Sequence, residues 1–196
     1  MKKLTLLLIV CIALLAGCKK ESGPTTKTET PAKTTISNAL VVDTGRIANN
    51  GSFEFGQKFY VSKNGSVTKL GCKMARAGSY RVSLWDFATT NLIAATTVNV
   101  TDTLNFFYNS VSGISLTAST RYVISLNNTD GGVNKPYYLY SKKPGTNNVN
   151  YPFTTGSVTY EIGLYSFSTT SVFPTTSGAA TDAFWGVPDM QFEYSE

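Results

Sequence analysis

Trp85 lies near the end of Gly-Ser-Tyr-Arg-Val-Ser-Leu-Trp-Asp, residues 78–86, and it and Trp185 are the only two tryptophans among 196 residues. An indole stacks on the apolar C–H face of a sugar, and an acid beside it, here Asp86, accepts from the hydroxyls. A second aromatic group, Tyr137, Tyr138, Tyr140, Tyr151 and Phe153, stands near Asn147, Asn148 and Asn150. That composition suits contact with a carbohydrate or peptide, but aromatic residues on strands equally well fill a β core or cover its edge. Trp85 has the same two readings. Period two turns Tyr80, Val82 and Leu84 inward and Arg81, Ser83 and Trp85 outward. Yet the strand ends here, so the indole is expected chiefly as an end cap of the fold, with a sugar platform as the alternative. Trp185, between Phe184 and Gly186, poses the same choice.

Asn127-Asn128-Thr129-Asp130-Gly131 is a run of oxygen ligands in a turn. Calcium takes 6–8 such oxygens, so Asn127, Asn128 and Asp130 are the metal candidates and calcium the one cofactor considered. The competing reading is an Asx-rich hairpin turn. Asp182 with Asp189 is a weaker acidic pair. The chain has no histidine, which removes Ser-His-Asp triads, Cys-His pairs, His-ligated zinc and the commonest general base. No glycine-rich phosphate loop follows a strand and opens a helix. No carboxylate pair with supporting aromatics suggests glycoside hydrolysis. The expectation is a protein that binds rather than catalyses.

Three cysteines have three expected fates. Lys2 and Lys3 precede an apolar run, Leu4 to Leu15, too short to span a bilayer and of the length of a signal h-region. It closes on Leu15-Ala16-Gly17-Cys18, which resembles the lipoprotein signal of bacteria. Residues 1–17 then form the signal peptide, and Cys18 carries the lipid that attaches the chain to the membrane. Lys19 follows, with no aspartate to suggest inner-membrane retention, so the outer membrane is expected, on its periplasmic or its surface face. Cys11 leaves with the signal. Cys72 is left without a partner and is expected as a small buried hydrophobe.

The elements that must position these residues begin after a polar stretch. Residues 19–35, Lys-Lys-Glu-Ser-Gly-Pro-Thr-Thr-Lys-Thr-Glu-Thr-Pro-Ala-Lys-Thr-Thr, show no apolar period and read as part of a flexible tether over 18–35. The formal charge of +5 includes Lys2 and Lys3 and a net +2 on residues 19–35, which leaves about +1 for residues 36–196. A near-neutral domain lacks the charge of a nucleic-acid binder. From Ile36 the chain turns to Val, Ile, Phe, Tyr and Thr at period two, without a long 3.6-period segment. Strands are expected around Phe53–Val61 (irregular near Gly56), Val67–Met74, Tyr80–Leu84, Leu92–Val100, Phe106–Leu116, Tyr122–Leu126, Tyr138–Tyr140, Tyr160–Leu164 and Met190–Tyr194. Residues 142–157 and 166–183 read as loops. Many short strands with such turn signals predict one all-β domain over 36–196, an antiparallel, jelly-roll-like β-sandwich.

The order Gly-Ser-Val-Thr-Lys-Leu-Gly-Cys-Lys-Met, Gly-Ser-Tyr-Arg-Val-Ser-Leu-Trp-Asp, Asn-Leu-Ile-Ala-Ala-Thr-Thr-Val and Gly-Ile-Ser-Leu-Thr-Ala-Ser-Thr-Arg-Tyr-Val-Ile-Ser-Leu resembles the domain-of-unknown-function family 4082 over about residues 52–126. The ending Asp182 to Tyr194 is similar to that family's aromatic-plus-acid last strand. Leu104-Asn105-Phe106 stands where the family usually has Gly-Trp, Arg121 where it is often apolar or small, and 137–183 has no clear counterpart. The resemblance implies a bacterial extracellular β-sandwich, often an accessory module near carbohydrate-active enzymes and adhesins. The function expected is a non-enzymatic, lipid-anchored envelope module that binds glycan. The alternative is a structural or adhesion lipoprotein contacting another envelope protein.

Overall fold

The computed structural model describes residues 23–38, 44–141, 151–177 and 183–196. The leader, Cys18, Asn147, Asn148, Asn150 and Asp182 lie outside the described residues. The chain folds as β1 (Thr26–Glu29), α1 (Pro31–Ser37), β2 (Thr44–Ala48), β3 (Phe53–Val61), β4 (Gly65–Cys72), β5 (Gly78–Asp86), β6 (Leu92–Val100), β7 (Phe107–Leu116) and β8 (Arg121–Asn127). It continues with β9 (Thr129–Asp130), β10 (Val133–Asn134), β11 (Tyr137–Ser141), β12 (Phe153–Thr155), β13 (Val158–Phe167), β14 (Thr176–Ser177), β15 (Ala183–Trp185) and β16 (Pro188–Ser195).

The largest sheet runs β12-β13-β3-β8-β5-β6, with β14 added to β13, and a four-stranded sheet runs β1-β16-β4-β7. A three-stranded sheet, β15-β11-β2, and the β9-β10 hairpin complete an all-β antiparallel sandwich. Alternation decides which side chains enter it. Phe59 and Val61 on β3, Tyr80, Val82 and Leu84 on β5, Ile124 and Leu126 on β8 and Tyr160 on β13 are buried in one cluster with Val67, Leu70 and Cys72 on β4 and Met190 and Phe192 on β16. Each such aliphatic or aromatic side chain contributes about 1.5–3 kcal/mol relative to exposure. Cys72 is the expected buried hydrophobe, and burial holds its thiol well above the ordinary range.

Besides the short strands β12 and β14, which form within the stretches 142–157 and 166–183 expected as loops, two expectations about local structure change. No irregularity interrupts β3 at Gly56; the register shifts in its partner β13, between Tyr160 and Ile162. Gly56 instead makes room, because a Cβ there would stand 2.5 Å from Pro174 and 2.9 Å from Val123. The second change concerns the tether, which does not extend to residue 35. β1 pairs with β16 from Thr26↔Ser195 to Glu29↔Phe192, and α1 buries Pro31, Ala32 and Thr35. Composition hid this because an edge strand bonds through its backbone and needs no apolar period.

Two carboxylates fasten this N-terminal clasp. Glu29 accepts from Ser157 N and Oγ and from the Tyr194 hydroxyl. Asp189 on β16 receives Ala32 N at 2.9 Å and Lys33 N at 3.0 Å. Thr30 supplies no side-chain cap and Pro31 opens the helix, so the acid from β16 supplies the capping oxygens from 157 positions away. Tyr108 on β7 adds its O–H at 2.6 Å. Its ring reaches Asp189 across Gly71, which pairs with both residues. A Cβ on Gly71 would lie 2.2 Å from Tyr108 Cδ1 and 2.6 Å from the Phe107 carbonyl oxygen. Gly71→Ala is therefore expected to lose about 1–3 kcal/mol, measured as a lower denaturation midpoint, because the backbone oxygen has nowhere to swing.

Candidate functional site

The structure places the expected ligand residues in buried and half-buried positions. Trp85 does face away from the main core, as its strand position requires, but it is buried, with 8% of its surface exposed. Residues 168–177 pass over it. Phe173 meets the indole edge-on at 5.9 Å, and Trp85 Nε1 donates to Ser125 Oγ at 2.7 Å. The platform reading is corrected: a covered indole offers no face to a sugar. Asp86 accepts from Thr89 N at 2.8 Å and Thr89 Oγ1 at 2.9 Å, which holds its carboxyl below the usual range and shapes the turn into β6.

Three more aromatics are structural. Tyr137 is buried against Phe55, centroids 4.3 Å apart, and donates to Asn50 Oδ1. Tyr151 donates its hydroxyl to the buried Gln57, whose Nε2 donates to the Trp185 carbonyl. Burial raises the Tyr151 hydroxyl well above its ordinary value. Trp185 is half-buried, edge-on to Tyr165 at 5.5 Å.

The calcium candidates are committed elsewhere. Asn127 donates to Ser168 O and Thr170 O and accepts from Thr129 N and Oγ1. Asn128 accepts Phe53 N at 2.6 Å and donates to Gly51 O and Lys135 O, both at 3.0 Å. Both amides are buried latches, so the run is an Asx-type turn whose amide oxygens already carry hydrogen bonds. Asp130 sits in the β9-β10 hairpin beside Gly78. Among the described residues no group of three or more His, Cys, Asp or Glu is placed to hold a metal ion. Asp189 belongs to the clasp. Burial pushes its carboxyl up to about 6, while Tyr108 and three backbone amides draw it back down.

Two of the expected residues meet a lysine and an aspartate at one corner of the sandwich. Tyr138 and Tyr140 share a face of β11 and are half-buried, their rings 5.6 Å apart and inclined at 39°. Lys73, just beyond β4, holds its ammonium 5.3 Å from the Tyr138 centroid, within cation–π range. Tyr138 donates to the Thr103 carbonyl at 2.8 Å, which ties β11 to the loop between β6 and β7. In that loop Asp102 accepts from Leu104 N, Asn105 N and Asn105 Nδ2, and the Asn105 side chain is the main reason its carboxyl lies below the usual range. Leu104 is 77% exposed beside it. Burial lowers the Lys73 ammonium and Asp102 opposes it, and burial pushes the Tyr140 hydroxyl up to about 12. The corner thus brings together two phenol rings, the Lys73 amino group and the Asp102 carboxyl. Such a set stacks on apolar ring faces and bonds hydroxyls.

Sequence reasoning reached Tyr138 and Tyr140 but not Lys73, Asp102 or Leu104. Asp102-Thr-Leu-Asn105 carries a readable Asx-turn signal. Its contact with a strand 35 residues later is a product of topology.

Over residues 40–186 the chain matches the model of the family described as Domain of unknown function (DUF4082). The chain belongs to this family. No curated protein matches it. The DUF4082 span holds Lys73, Asp102, Tyr138 and Tyr140, whereas the clasp strand β1, α1 and Asp189 lie outside it. The aromatic corner is thus built within the DUF4082 domain, and the clasp closes onto that domain from its flanks.

Proposed function

We propose that this protein is a lipid-anchored, non-enzymatic binding module of the cell envelope that takes a glycan at the Tyr138–Tyr140 corner. The observation that carries the reading is the half-buried tyrosine pair with Lys73 and Asp102 beside it. Neighbouring rings stack on successive sugar C–H faces, while the ammonium and carboxylate bond hydroxyls. Anchoring rests on the Leu15-Ala16-Gly17-Cys18 box, and the outer membrane on the absence of an aspartate after Cys18. The folded clasp supports a domain held near its anchor, because β1 begins at Thr26 and only residues 19–25 separate it from Cys18.

Retention of the folded protein on a panel of insoluble and immobilised polysaccharides tests the reading. At least one glycan is expected to retain it, and Lys73→Ala is expected to weaken retention several-fold without lowering the melting temperature. Absence of retention on every glycan would remove the proposal. A protein partner crosslinked in intact cells, with contact surviving glycan removal, would instead support the adhesion reading.

A further inference from the structure

We propose that residues 168–177 form a pH-dependent strap, closed over the Trp85 face while Glu54 is protonated and released as Glu54 ionises. The strap reads Ser-Thr-Thr-Ser-Val-Phe-Pro-Thr-Thr-Ser and carries no charged side chain. It lies over the face of the large sheet opposite the main core. Single contacts hold its middle: Ser168 O and Thr170 O on Asn127 Nδ2, Thr169 O on Thr129 Oγ1, Ser171 Oγ on Ser83 Oγ at 2.9 Å, Phe173 on Trp85 and Pro174 over Gly56, while its ends are fixed by Ser168 N on Ser52 O, Thr175 N on Ser166 Oγ and the pairing of β14 with β13. Beneath it Glu54 is fully buried.

One Glu54 oxygen accepts from Ser125 Oγ, which also receives Trp85 Nε1, and Oε2 has no hydrogen-bond partner. The Asn127 side chain and the Val172 amide of the strap favour the carboxylate, but no charged group close to it neutralises it. On β5, Arg81 is exposed and favours the carboxylate only weakly. On β3, Lys58 is engaged with Glu161 at 3.1 Å and lies over the Phe87 ring. On β8, Ser125 and Asn127 do not titrate, and Arg121 is paired with Glu161. On β13, the residue opposite Glu54 is Ser166. Burial therefore prevails over the donors and pushes the Glu54 carboxyl up to about 7 from 4.5.

The sign follows from linkage. The closed form binds the proton more tightly than an open form with a solvated carboxyl, so the protonation stabilising closure is fully present below about 4.5. It is lost as pH rises through about 7 and levels off above that. Over that interval the open-to-closed ratio is expected to rise by nearly tenfold per pH unit, roughly a hundredfold in all.

Hydrogen exchange of residues 168–177, corrected for intrinsic rates and followed from pH 5 to 8.5, tests this on the whole protein. A second readout is acrylamide quenching of Trp85 in a Trp185→Phe background. Both are expected to rise toward pH 7 and then flatten, with β3 and β8 amides unchanged. Glu54→Gln is expected to keep the strap closed at every pH, and Arg81→Ala to move the midpoint upward. A flat wild-type profile overturns the proposal, as does a slope that persists in Glu54→Gln or one shared equally by the core strands.

Discussion

Replacing Asp189 with alanine is expected to cost about 3 kcal/mol and to free the N-terminal clasp. The carboxylate is fully buried and takes four donors: Ala32 N, Lys33 N, Met190 N and the Tyr108 hydroxyl. Each buried donor left without a partner costs about 1–3 kcal/mol. Their sum is limited because the clasp can detach and let water reach them. Hydrogen exchange should therefore show residues 26–37 losing protection before the sandwich does, while Glu29 still tethers β1 to Ser157 and Tyr194. Tyr108→Phe removes a single bond and is expected to cost about 1 kcal/mol.

The pH dependence of the Asp189 effect has a definite sign. The folded carboxyl titrates near 6, above its ordinary 3.8. Its contribution is therefore greatest below 3.8 and falls as pH rises through about 6. The loss in Asp189→Ala is expected to be larger at pH 5 than at pH 7.5, by on the order of 1 kcal/mol. Denaturant titrations at the two pH values measure it. An equal loss at both would contradict the burial-raised titration.

Trp85→Ala is expected to be as severe, about 3–5 kcal/mol for a buried tryptophan truncated to alanine. In a chain of 196 residues this corresponds to a melting temperature lower by about 10 °C. The indole fills the space between Val123, Leu164 and Phe173, and its N–H anchors Ser125, which in turn bonds Glu54. Trp85→Phe keeps most of the apolar volume and loses the donor, so it should cost about 1–2 kcal/mol. Calorimetry of both variants separates packing from hydrogen bonding. A Trp85→Ala protein as stable as wild type would show that the strap does not depend on the indole.

The strands that alternate cleanly were legible because period two leaves its mark on composition. Tyr80, Val82 and Leu84 are fully buried, and Trp85 lies on the opposite face, as their spacing requires. Whether that opposite face meets water was not legible. Its cover comes from a Ser- and Thr-rich segment some 80 residues later, which has no apolar periodicity because scattered polar contacts and a two-residue pairing with β13 hold it. The clasp escaped for a related reason. Its buried residues, Pro31, Ala32 and Thr35, are small, and its helix is capped by an acid at the other end of the chain.

Buried polar residues formed the other blind spot. Glu54, Gln57, Asn127, Asn128 and Asp189 look like surface residues in the sequence, yet each is buried where a tertiary partner accepts or donates. For the candidate site, type predicted interest in Tyr138 and Tyr140, but only the meeting of β11, the end of β4 and the 102–105 loop sets them beside Lys73 and Asp102.

The central claim is that ligand binding resides at the Tyr138–Tyr140 corner and not at the covered tryptophan. The most direct test measures the dissociation constant of one retained glycan for the wild type, Tyr140→Ala and Trp85→Phe at pH 6. At that pH the Glu54 carboxyl is mostly protonated. Loss of one stacking ring is expected to weaken binding by roughly tenfold, equivalent to about 1.4 kcal/mol, whereas Trp85→Phe is expected to bind as the wild type does. Unchanged affinity in a folded Tyr140→Ala protein, with affinity lost in Trp85→Phe, would place the site under the strap and contradict the account.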